Sequence, residues 1–255
     1  MKGFDGQVLT GVFELEGQQF MCLDGGSTFK FNPGVSFFVN CKTPEGTKAF
    51  FEKLVESGQA LMPLQKYPFS EMYGWLQDKY GLNWQINVSK APQKIVPAFM
   101  FIKNQFGRCE EAINFYTSIF KNSKVNMLSR YEENEGDEVG KIKYASFSLE
   151  DQQFIAMESS GDHKWETSGA VSQLIECKDQ AEIDYYWDKL TEGGDPKSQQ
   201  CGWLMDKFGF SWQVVPDMTR WLNSKDKEAN ARAMQAMLKM KKIDIAKLEE
   251  AYGKH

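Results

Sequence analysis

Two glutamines that each follow a tryptophan, Gln85 and Gln213, are the side chains of this sequence best suited to contact a small molecule. Each lies in a segment of alternating apolar and polar residues, which predicts a strand whose successive side chains point to opposite faces. If Trp84 and Trp212 pack beneath helices, both amides point to the other face and can hydrogen-bond a ligand there. The alternative is a buried amide that the backbone satisfies, and the sequence leaves both open.

Other polar and aromatic residues near these strands complete the candidate set. Ser36 and Ser172 have no partnered base in the sequence, so we expect polar contacts from them rather than nucleophilic catalysis. Trp75 and Trp203 begin the preceding strand and form either the walls of a ligand site or part of the core. His163 belongs to a predicted loop, either at the mouth of the site or exposed. The candidate ligand-binding residues are Gln213, Gln85, Trp203, Trp75, Ser172, Ser36 and His163.

These candidates fall in pairs because the sequence repeats itself. Gly74–Gln85 returns as Gly202–Gln213, with both tryptophans, an Asp-Lys pair and the final glutamine at identical spacing. Phe13–Phe20 is likewise echoed by Phe147–Phe154. The Val-Ser pairs at Ser36 and Ser172 recur in the same order, so a whole domain occurs twice in tandem.

The elements that position the candidates are clearest in the second copy. An apolar run at 94–102 predicts a strand, and Cys109–Phe120 carries apolar residues at helical spacing. Further segments continue the order strand, helix, three strands, which then repeats; they are strands near 125–131, 141–149, 153–157, 171–177, 202–209 and 210–215, and a helix near 181–190. The predicted class is α+β, built from βαβββ units.

The first copy is shorter and matches from Gly6 onward, so its opening strand, first helix and next strand have no counterpart. After the second copy, Asp226–Tyr252 predicts a helical tail whose methionine stripe packs in a core or against a partner. We therefore expect an incomplete domain at 1–90, a complete domain at 91–220 and a helical tail at 221–255.

Composition narrows the classes of function. The chain has 255 residues, 42% of them apolar, and its net charge of −5 argues against nucleic acid as a partner. It has no apolar run of about 18 residues and no apolar segment at its start, so neither a membrane span nor a secretory signal is expected. Five cysteines without a C-x-x-C pair suggest reduced thiols and a cytoplasmic location. Only two histidines are present, which excludes a zinc site rich in histidine.

With βαβββ units, Phe115-Tyr116 late in the first helix and an Asp-x-x-Gly turn before the last strand, the sequence resembles the vicinal-oxygen-chelate superfamily. This superfamily includes glyoxalase I, bleomycin-resistance proteins and extradiol dioxygenases. Asn114–Phe120, Trp187–Leu190 and Cys201–Leu204 are similar to its PhnB-like branch, whose members often carry the label 3-demethylubiquinone-9 3-methyltransferase. The resemblance covers nearly all of residues 6–250.

The resemblance implies a cup formed by paired units, with metal ligands on the first, fourth, fifth and eighth strands. In the second copy these positions fall near Pro97, Ala156, Ser172 and Gln213. In the first copy they fall near Cys22, Ser36 and Gln85. A single glutamine does not hold a divalent ion against water. We therefore expect neither a catalytic metal nor another cofactor.

The methyltransferase label finds no support in a nucleotide-binding motif, because neither Gly25-Gly26 nor Gly193-Gly194 follows a strand and leads into a helix. The predicted function is metal-independent binding of a small, partly apolar molecule in the cup. The alternatives are a PhnB-like enzyme, either a methyltransferase or a lyase, and a structural or regulatory protein whose cups are filled by side chains. The incomplete first copy favours a homodimer, although the tail or the other copy could also cover it.

Overall fold

A computed structural model describes residues 10–91, 95–222 and 224–253. The chain forms two compact units, of which the first ends at Ser168 and the second begins at Gly169. In the described residues, no helix combines the length and the apolar character needed to cross a bilayer. Each unit is described by itself below.

Unit 1 contains ten strands and two α-helices in its described residues. The strands are β1 Thr10–Leu15, β2 Gln18–Leu23, β3 Val35–Cys41, β4 Gln59–Tyr67, β5 Ser70–Gln77, β6 Asn83–Val88, β7 Ile95–Ile102, β8 Lys124–Arg130, β9 Ile142–Leu149 and β10 Gln152–Ser159. The helices are α1 Pro44–Val55 and α2 Cys109–Ile119. Strands β1 and β2 form a separate hairpin, and the others form one eight-stranded sheet.

The eight-stranded sheet joins parts of both sequence copies. Its order is β4-β5-β6-β3-β7-β10-β9-β8. β3 pairs parallel with β6 and antiparallel with β7, and β7 pairs parallel with β10. The seam between β3 and β7 therefore connects the second half of the first copy to the first half of the second copy. All seven residues of β3 are buried, as expected for a central strand covered on both faces.

The ladder registers assign every side chain of the central strands to one of two faces. Both helices cover the same face. Phe51 of α1 lies against Gly74 there, and Tyr116 of α2 contacts Phe99 at a tilt and stacks with Phe147. We call the opposite face the cup face. Five of its buried residues form an apolar cluster, which consists of Phe38, Tyr73, Val96, Ala98 and Ile155.

Unit 2 contains a three-stranded sheet and four helices in its described residues. The strands are β11 Ser172–Cys177, β12 Trp203–Met205 and β13 Ser211–Pro216, in the order β11-β13-β12. The helices are α3 Gln180–Thr191, α4 Thr219–Leu222, α5 Lys227–Met237 and α6 Ile245–Gly253. β11 is parallel to β13, as β3 is to β6 in unit 1.

The second βαβββ unit has two described strands after α3, where three were expected. In unit 1 the corresponding place is taken by β4, which pairs with β5. In unit 2 the chain after α3 forms a short 3-10 turn at Pro196–Ser198. The tail contacts β12 near its start instead, since the amides of Cys201 and Gly202 donate to the carbonyls of Met240 and Lys241, each at 2.8 Å.

The helical tail is present as two helices rather than as one continuous stripe. α5 ends at Met237, and the segment that bonds Cys201 and Gly202 separates it from α6. The buried face of α5 carries Ala229, Asn230 and Ala233. The expected packing of a methionine stripe is therefore found only in part, because Met234 and Met237 are half-buried while Leu238 is exposed. Small side chains allow this helix to pack more closely than methionines would.

The tandem organisation is otherwise as expected. β9 and β10 correspond to the hairpin β1–β2, and α1 and α3 occupy equivalent positions in the repeat. Among the described residues, the first copy has no counterpart of β7, α2 and β8. The architecture of the described residues is α+β, with a C-terminal helical segment.

Candidate functional site

Three buried side chains form a hydrogen-bonded chain on the cup face of unit 1. The hydroxyl of Tyr73 donates to Oε1 of Gln85 at 2.7 Å, and Nε2 of Gln85 donates to Oγ of Ser36 at 2.8 Å. Their exposed fractions are 4%, 1% and 1%. We call this group the Tyr73–Gln85–Ser36 chain.

Strand register explains why these three side chains meet. Gln85 lies beside Phe38 of β3 and beside Trp75 of β5. Ser36 and Tyr73 are each two residues from those partners, so their side chains share a face with Gln85 and approach it diagonally. Ser36 in turn lies opposite Ala98 of β7, so the Tyr73–Gln85–Ser36 chain lies at the seam between the two copies.

The Tyr73 hydroxyl is a neutral donor. Burial, with a smaller contribution from Tyr67, raises the pKa of Tyr73 above its usual range. A protonated phenol can donate to Gln85 throughout the physiological pH range, and it does not act as a base there. The described central strands β3, β6, β7 and β10 carry no carboxylate or imidazole on the cup face.

A layer of half-buried aromatic and methionine side chains packs on the apolar cluster that contains Tyr73. Its members are Met62, Tyr67, Trp75, Tyr144 and Met157. Tyr67 and Phe69 both make edge-to-face contacts with Tyr73, with ring centroids 5.7 and 5.1 Å away, and Phe69 is 60% exposed. Apolar and aromatic walls with a few polar groups are typical of small-molecule sites.

Two buried polar atoms at this site have no hydrogen-bond partner within the described part of the chain. They are Nε1 of Trp75, a donor, and Oδ1 of Asn83, an acceptor. Trp75 and Asn83 share the cup face with Gln85, because β5 and β6 pair Trp75 with Gln85 and Gln77 with Asn83. A buried polar atom without a partner costs free energy, so both atoms favour a polar occupant at this face.

Unit 2 reproduces the glutamine–serine contact without the tyrosine. Nε2 of Gln213 donates to Oγ of Ser172 at 2.8 Å, the same distance as in unit 1. Both residues are only half-buried. Cys201 occupies the repeat position of Tyr73, and its Sγ accepts from Gln200 at 3.4 Å.

Trp203 and His163 are candidates that take no part in the glutamine–serine hydrogen bonds. Trp203 is half-buried and pairs with Gln213 across β12 and β13. His163 lies in a loop of unit 1, where its Nε2 is 3.0 Å from Oγ of Ser159 and its ring is 5.0 Å from that of Trp165. Desolvation, followed by the charge of Lys103, lowers the pKa of His163. His163 makes no hydrogen bond to the Tyr73–Gln85–Ser36 chain.

The expected positions of two metal ligands require a correction. Pro97 and Ala156 lie on the helix-covered face, because they alternate with Ala98 and Ile155, which belong to the cup-face cluster. The ligand positions expected near Pro97 and Ala156 are therefore wrong by one residue on β7 and β10, because the neighbouring residues face the cup. Cys22, the expected position on β2, is exposed, and its thiol donates to the carbonyl of Gly11. Within the described residues, no three side chains of the His, Cys, Asp and Glu types are grouped as a metal site.

Cys109 and Cys177, two of the buried cysteines, have raised pKa values and are protonated thiols. Burial raises the pKa of Cys177 to about 12, and it raises that of Cys109 still further, with the charge of Glu158 adding to the effect. Glu158 itself is buried and accepts from the amides of Ile142 at 2.6 Å and Gly107 at 2.8 Å. These contacts attach the N-terminus of α2 to β10, on the face opposite the cup.

Sequence reasoning did not identify Tyr73. The repeat gave no indication of its role, because its counterpart is a cysteine. The repeated Asp-x-x-Gly turn was expected, but its link to the tryptophans was not. The indole Nε1 of Trp84 donates to Asp78 at 3.0 Å, and that of Trp212 donates to Asp206 at 2.7 Å. Both tryptophans are thereby held on the face opposite the glutamines.

A family model described as 3-demethylubiquinone-9 3-methyltransferase matches residues 1–87 and 93–215. The chain belongs to this family. The two matched segments follow the two copies of the repeat, so this member carries the family domain in tandem. No curated protein matches the chain.

Several solved structures are similar to this chain. A PhnB protein from Bacillus cereus is 37% identical, covers 48% of this chain and 99% of its own, and has a TM-score of 0.43. A glyoxalase I mutant from Zea mays is 16% identical, covers 81% of this chain and 76% of its own, and has a TM-score of 0.50. A superfamily member from Vibrio splendidus is 12% identical, covers 52% and 100%, and has a TM-score of 0.32. The likeness to glyoxalase I concerns the fold alone.

Proposed function

We propose that the cup face of unit 1 binds a small, planar, partly apolar molecule without the help of a metal ion. The observation that supports this most directly is the half-buried layer of Tyr67, Trp75, Tyr144 and two methionines that packs on the apolar cluster containing Tyr73. These side chains provide stacking and apolar contact, and the unpartnered Trp75 Nε1 provides a donor for an oxygen atom of the ligand.

The buried Tyr73–Gln85–Ser36 chain stabilises this layer through Tyr73. Tyr73 belongs both to the Tyr73–Gln85–Ser36 chain and to the apolar cluster, so its ring is held in place while its hydroxyl is occupied by Gln85. Holding aromatic walls in one rotamer reduces the entropy lost on binding. In this proposal Gln85 and Ser36 position the site, and the half-buried layer makes the contacts.

The family description suggests a second candidate, methyl transfer to an oxygenated ring. In such a reaction the methyl group of S-adenosylmethionine passes to a ring hydroxyl, the S–CH3 bond breaks and the hydroxyl proton must leave. No carboxylate or imidazole lies on the cup face of the described central strands to accept that proton. Binding is therefore favoured over catalysis, although both predict affinity for the same class of ring.

Calorimetric titration of the full chain with a short-chain ubiquinol analogue that carries a free ring hydroxyl tests the proposal. We expect binding without added metal and an increase in melting temperature. Trp75→Phe removes the indole N–H and keeps an aromatic ring, so it should weaken binding about 3- to 10-fold, the usual value of one hydrogen bond. Trp203→Phe, the matched change in unit 2, should leave this affinity unchanged.

Two results would contradict the proposal. If neither the analogue nor a panel of other aromatic phenols binds, the cup is filled by its own side chains and the protein has another role. If Trp203→Phe weakens binding as much as Trp75→Phe, the site is not in unit 1. Adding S-adenosylmethionine and searching for a methylated product by mass spectrometry separates binding from methyl transfer.

A further inference from the structure

The turn between α5 and α6 in unit 2 concentrates positive charge in a chain whose net charge is −5. Of the nine residues from 239 to 247, four are lysine and one is aspartate. These five side chains line a concavity of about 470 Å³; they are Lys239, Lys241, Lys242, Lys247 and Asp244. A volume of this size suits a small molecule. The turn follows residue 215, the last that the family model matches.

Two of the four lysines are paired with carboxylates. Nζ of Lys242 is 2.8 Å from Asp184 and 3.3 Å from Asp188, both on α3. Nζ of Lys247 is 2.8 Å from Asp244, whose carboxylate also accepts from the amide of Lys247 at the start of α6. The charge of Asp244 is therefore balanced within the turn.

The other two lysines have no such partner. Neither Lys239 nor Lys241 forms an ion pair with any described residue, and both are exposed. Nζ of Lys241 donates only to the carbonyl of Pro196, at 3.3 Å. Two like charges held beside each other raise the free energy of the turn, and an anion between them lowers it.

The backbone of the turn offers further hydrogen-bond donors. In the described structure, the four successive amides of residues 241–244 donate to no protein acceptor. They directly precede α6, which begins at Ile245, and the N-terminus of a helix carries partial positive charge. Successive free amides in front of a helix are a common arrangement for binding an anion.

Contacts with the rest of unit 2 fix the backbone of the turn. The carbonyls of Met240 and Lys241 are bonded to the segment that precedes β12. Gln180 of α3 donates through Nε2 to the carbonyl of Ile243 at 3.1 Å and accepts through Oε1 from the amide of Ile245 at 2.8 Å. Ile243 is 0% exposed. Because the turn is already held in place, it loses little entropy when a ligand binds.

We propose that this concavity binds the phosphate group of a phosphate monoester. Such a group carries a charge of about −1.5 to −2 at pH 7, which matches the two lysines that lack a carboxylate partner. Its three terminal oxygens accept from ammonium groups and from free amides at the same time, whereas a carboxylate has only two oxygens. Lys239 and Lys241 supply the charge, and the amides of 241–244 supply the directional bonds.

Titration of the isotope-labelled full chain with glycerol 3-phosphate, followed by amide chemical shifts, tests the proposal. We expect the largest shifts at 241–244, weakening as the salt concentration rises, and none with glycerol alone. Lys239→Gln combined with Lys241→Gln should weaken binding at least ~10-fold, because it removes both unpaired ammonium groups. Both side chains are exposed, so the melting temperature should stay unchanged.

A matched double variant controls for general electrostatic attraction. Lys189→Gln combined with Lys227→Gln removes the same charge from exposed positions of unit 2 that do not line the concavity. It should change the affinity by less than about 2-fold, because solvent and salt screen exposed charges at a distance. Equal weakening by the two double variants, or shifts only outside 239–247, would overturn the proposal.

Vesicles of phosphatidylcholine with and without phosphatidic acid distinguish a lipid source of the phosphate from a soluble one. The phosphatidic acid head group is itself a phosphate monoester. Co-sedimentation with these vesicles that the Lys239→Gln, Lys241→Gln variant loses would identify a lipid, and binding of glycerol 3-phosphate alone would identify a soluble ligand. If neither binds, the proposal is wrong. Glycerol 3-phosphate has no ring, so this result does not bear on the aromatic site of unit 1.

Discussion

Units 1 and 2 contain the same sequence segment in different surroundings. In both, a glutamine donates to a serine on a parallel strand at 2.8 Å, and an aspartate accepts from a tryptophan six residues later. What differs is which of these contacts is buried. Gln85 is 1% exposed and Asp78 is half-buried, whereas Asp206 is 3% exposed and Gln213 is half-buried.

The neighbours of each segment account for this reversal. In unit 1, β7 covers the edge of β3, so the glutamine–serine contact lies in the sheet interior. In unit 2, Phe208 and Phe210 are both buried around the aspartate turn, where unit 1 has the 75% exposed Tyr80 and the half-buried Leu82. A repeated motif therefore specifies a set of hydrogen bonds, while the surroundings decide how much each of them stabilises the fold.

The largest expected difference concerns the aspartates. Asp206 accepts from the amides of Phe208 and Phe210 and from Trp212, all buried. Asp206→Ala should cost about 3–4 kcal/mol, since three buried donors lose their acceptor. Asp78→Ala should cost only about 1 kcal/mol, because water can reach the equivalent donors. Native-state hydrogen exchange of β13 and β6 amides measures both, and equal costs would contradict the assigned role of burial.

For the glutamines we expect a smaller difference in unfolding free energy, and here the substitution in unit 1 costs more than the one in unit 2. Gln85→Leu leaves the buried hydroxyls of Tyr73 and Ser36 without their partner and should cost about 2–3 kcal/mol. Gln213→Leu removes a half-buried contact and should cost no more than about 1 kcal/mol. Native-state proteolysis of each unit provides the comparison. Tyr73→Phe, which keeps the contact between Gln85 and Ser36, should cost about 1 kcal/mol and serves as the control.

The helix caps should not distinguish the two units. Thr43 accepts from the amide of Gly46 at 3.1 Å before α1, and Asp179 accepts from the amide of Glu182 at 2.9 Å before α3. Thr43→Ala and Asp179→Ala should each cost about 1 kcal/mol. Amide exchange in the first turns of α1 and α3 gives the two values. A clear inequality would show that the difference between the units extends beyond the sheet and the aspartate turn.

Local periodicity and the repeat predicted much of this arrangement. They predicted the α+β class, the bounds of most strands to within a few residues, and the opposite orientation of Gln85 and Trp84 on β6 and of Gln213 and Trp212 on β13. They failed on β7, where every residue is buried, so that alternation cannot tell Pro97 from Ala98. They also failed on Tyr73, whose role depends on a diagonal contact across the sheet rather than on spacing.

Sequence patterns could not predict which distant backbone segments pair with each other. The contact of Cys201 and Gly202 with the carbonyls of Met240 and Lys241 depends on a tail segment almost forty residues away along the chain. The seam between β3 and β7 likewise joins strands from different copies. Neither contact has a local pattern, because the pairing energy comes from backbone groups that are the same in every residue.

The position of β3 between β6 and β7 has a consequence during synthesis on the ribosome. Once β6 has emerged, β3 can pair on one side, and its other edge stays open until β7 follows. Val88 ends β6 and Ile95 begins β7, only seven positions later. At about 5–20 residues per second, translation delivers the start of β7 within about a second or two. The short connection between the copies thus limits the time for which a nascent, apolar strand edge is available to other chains in a polysome.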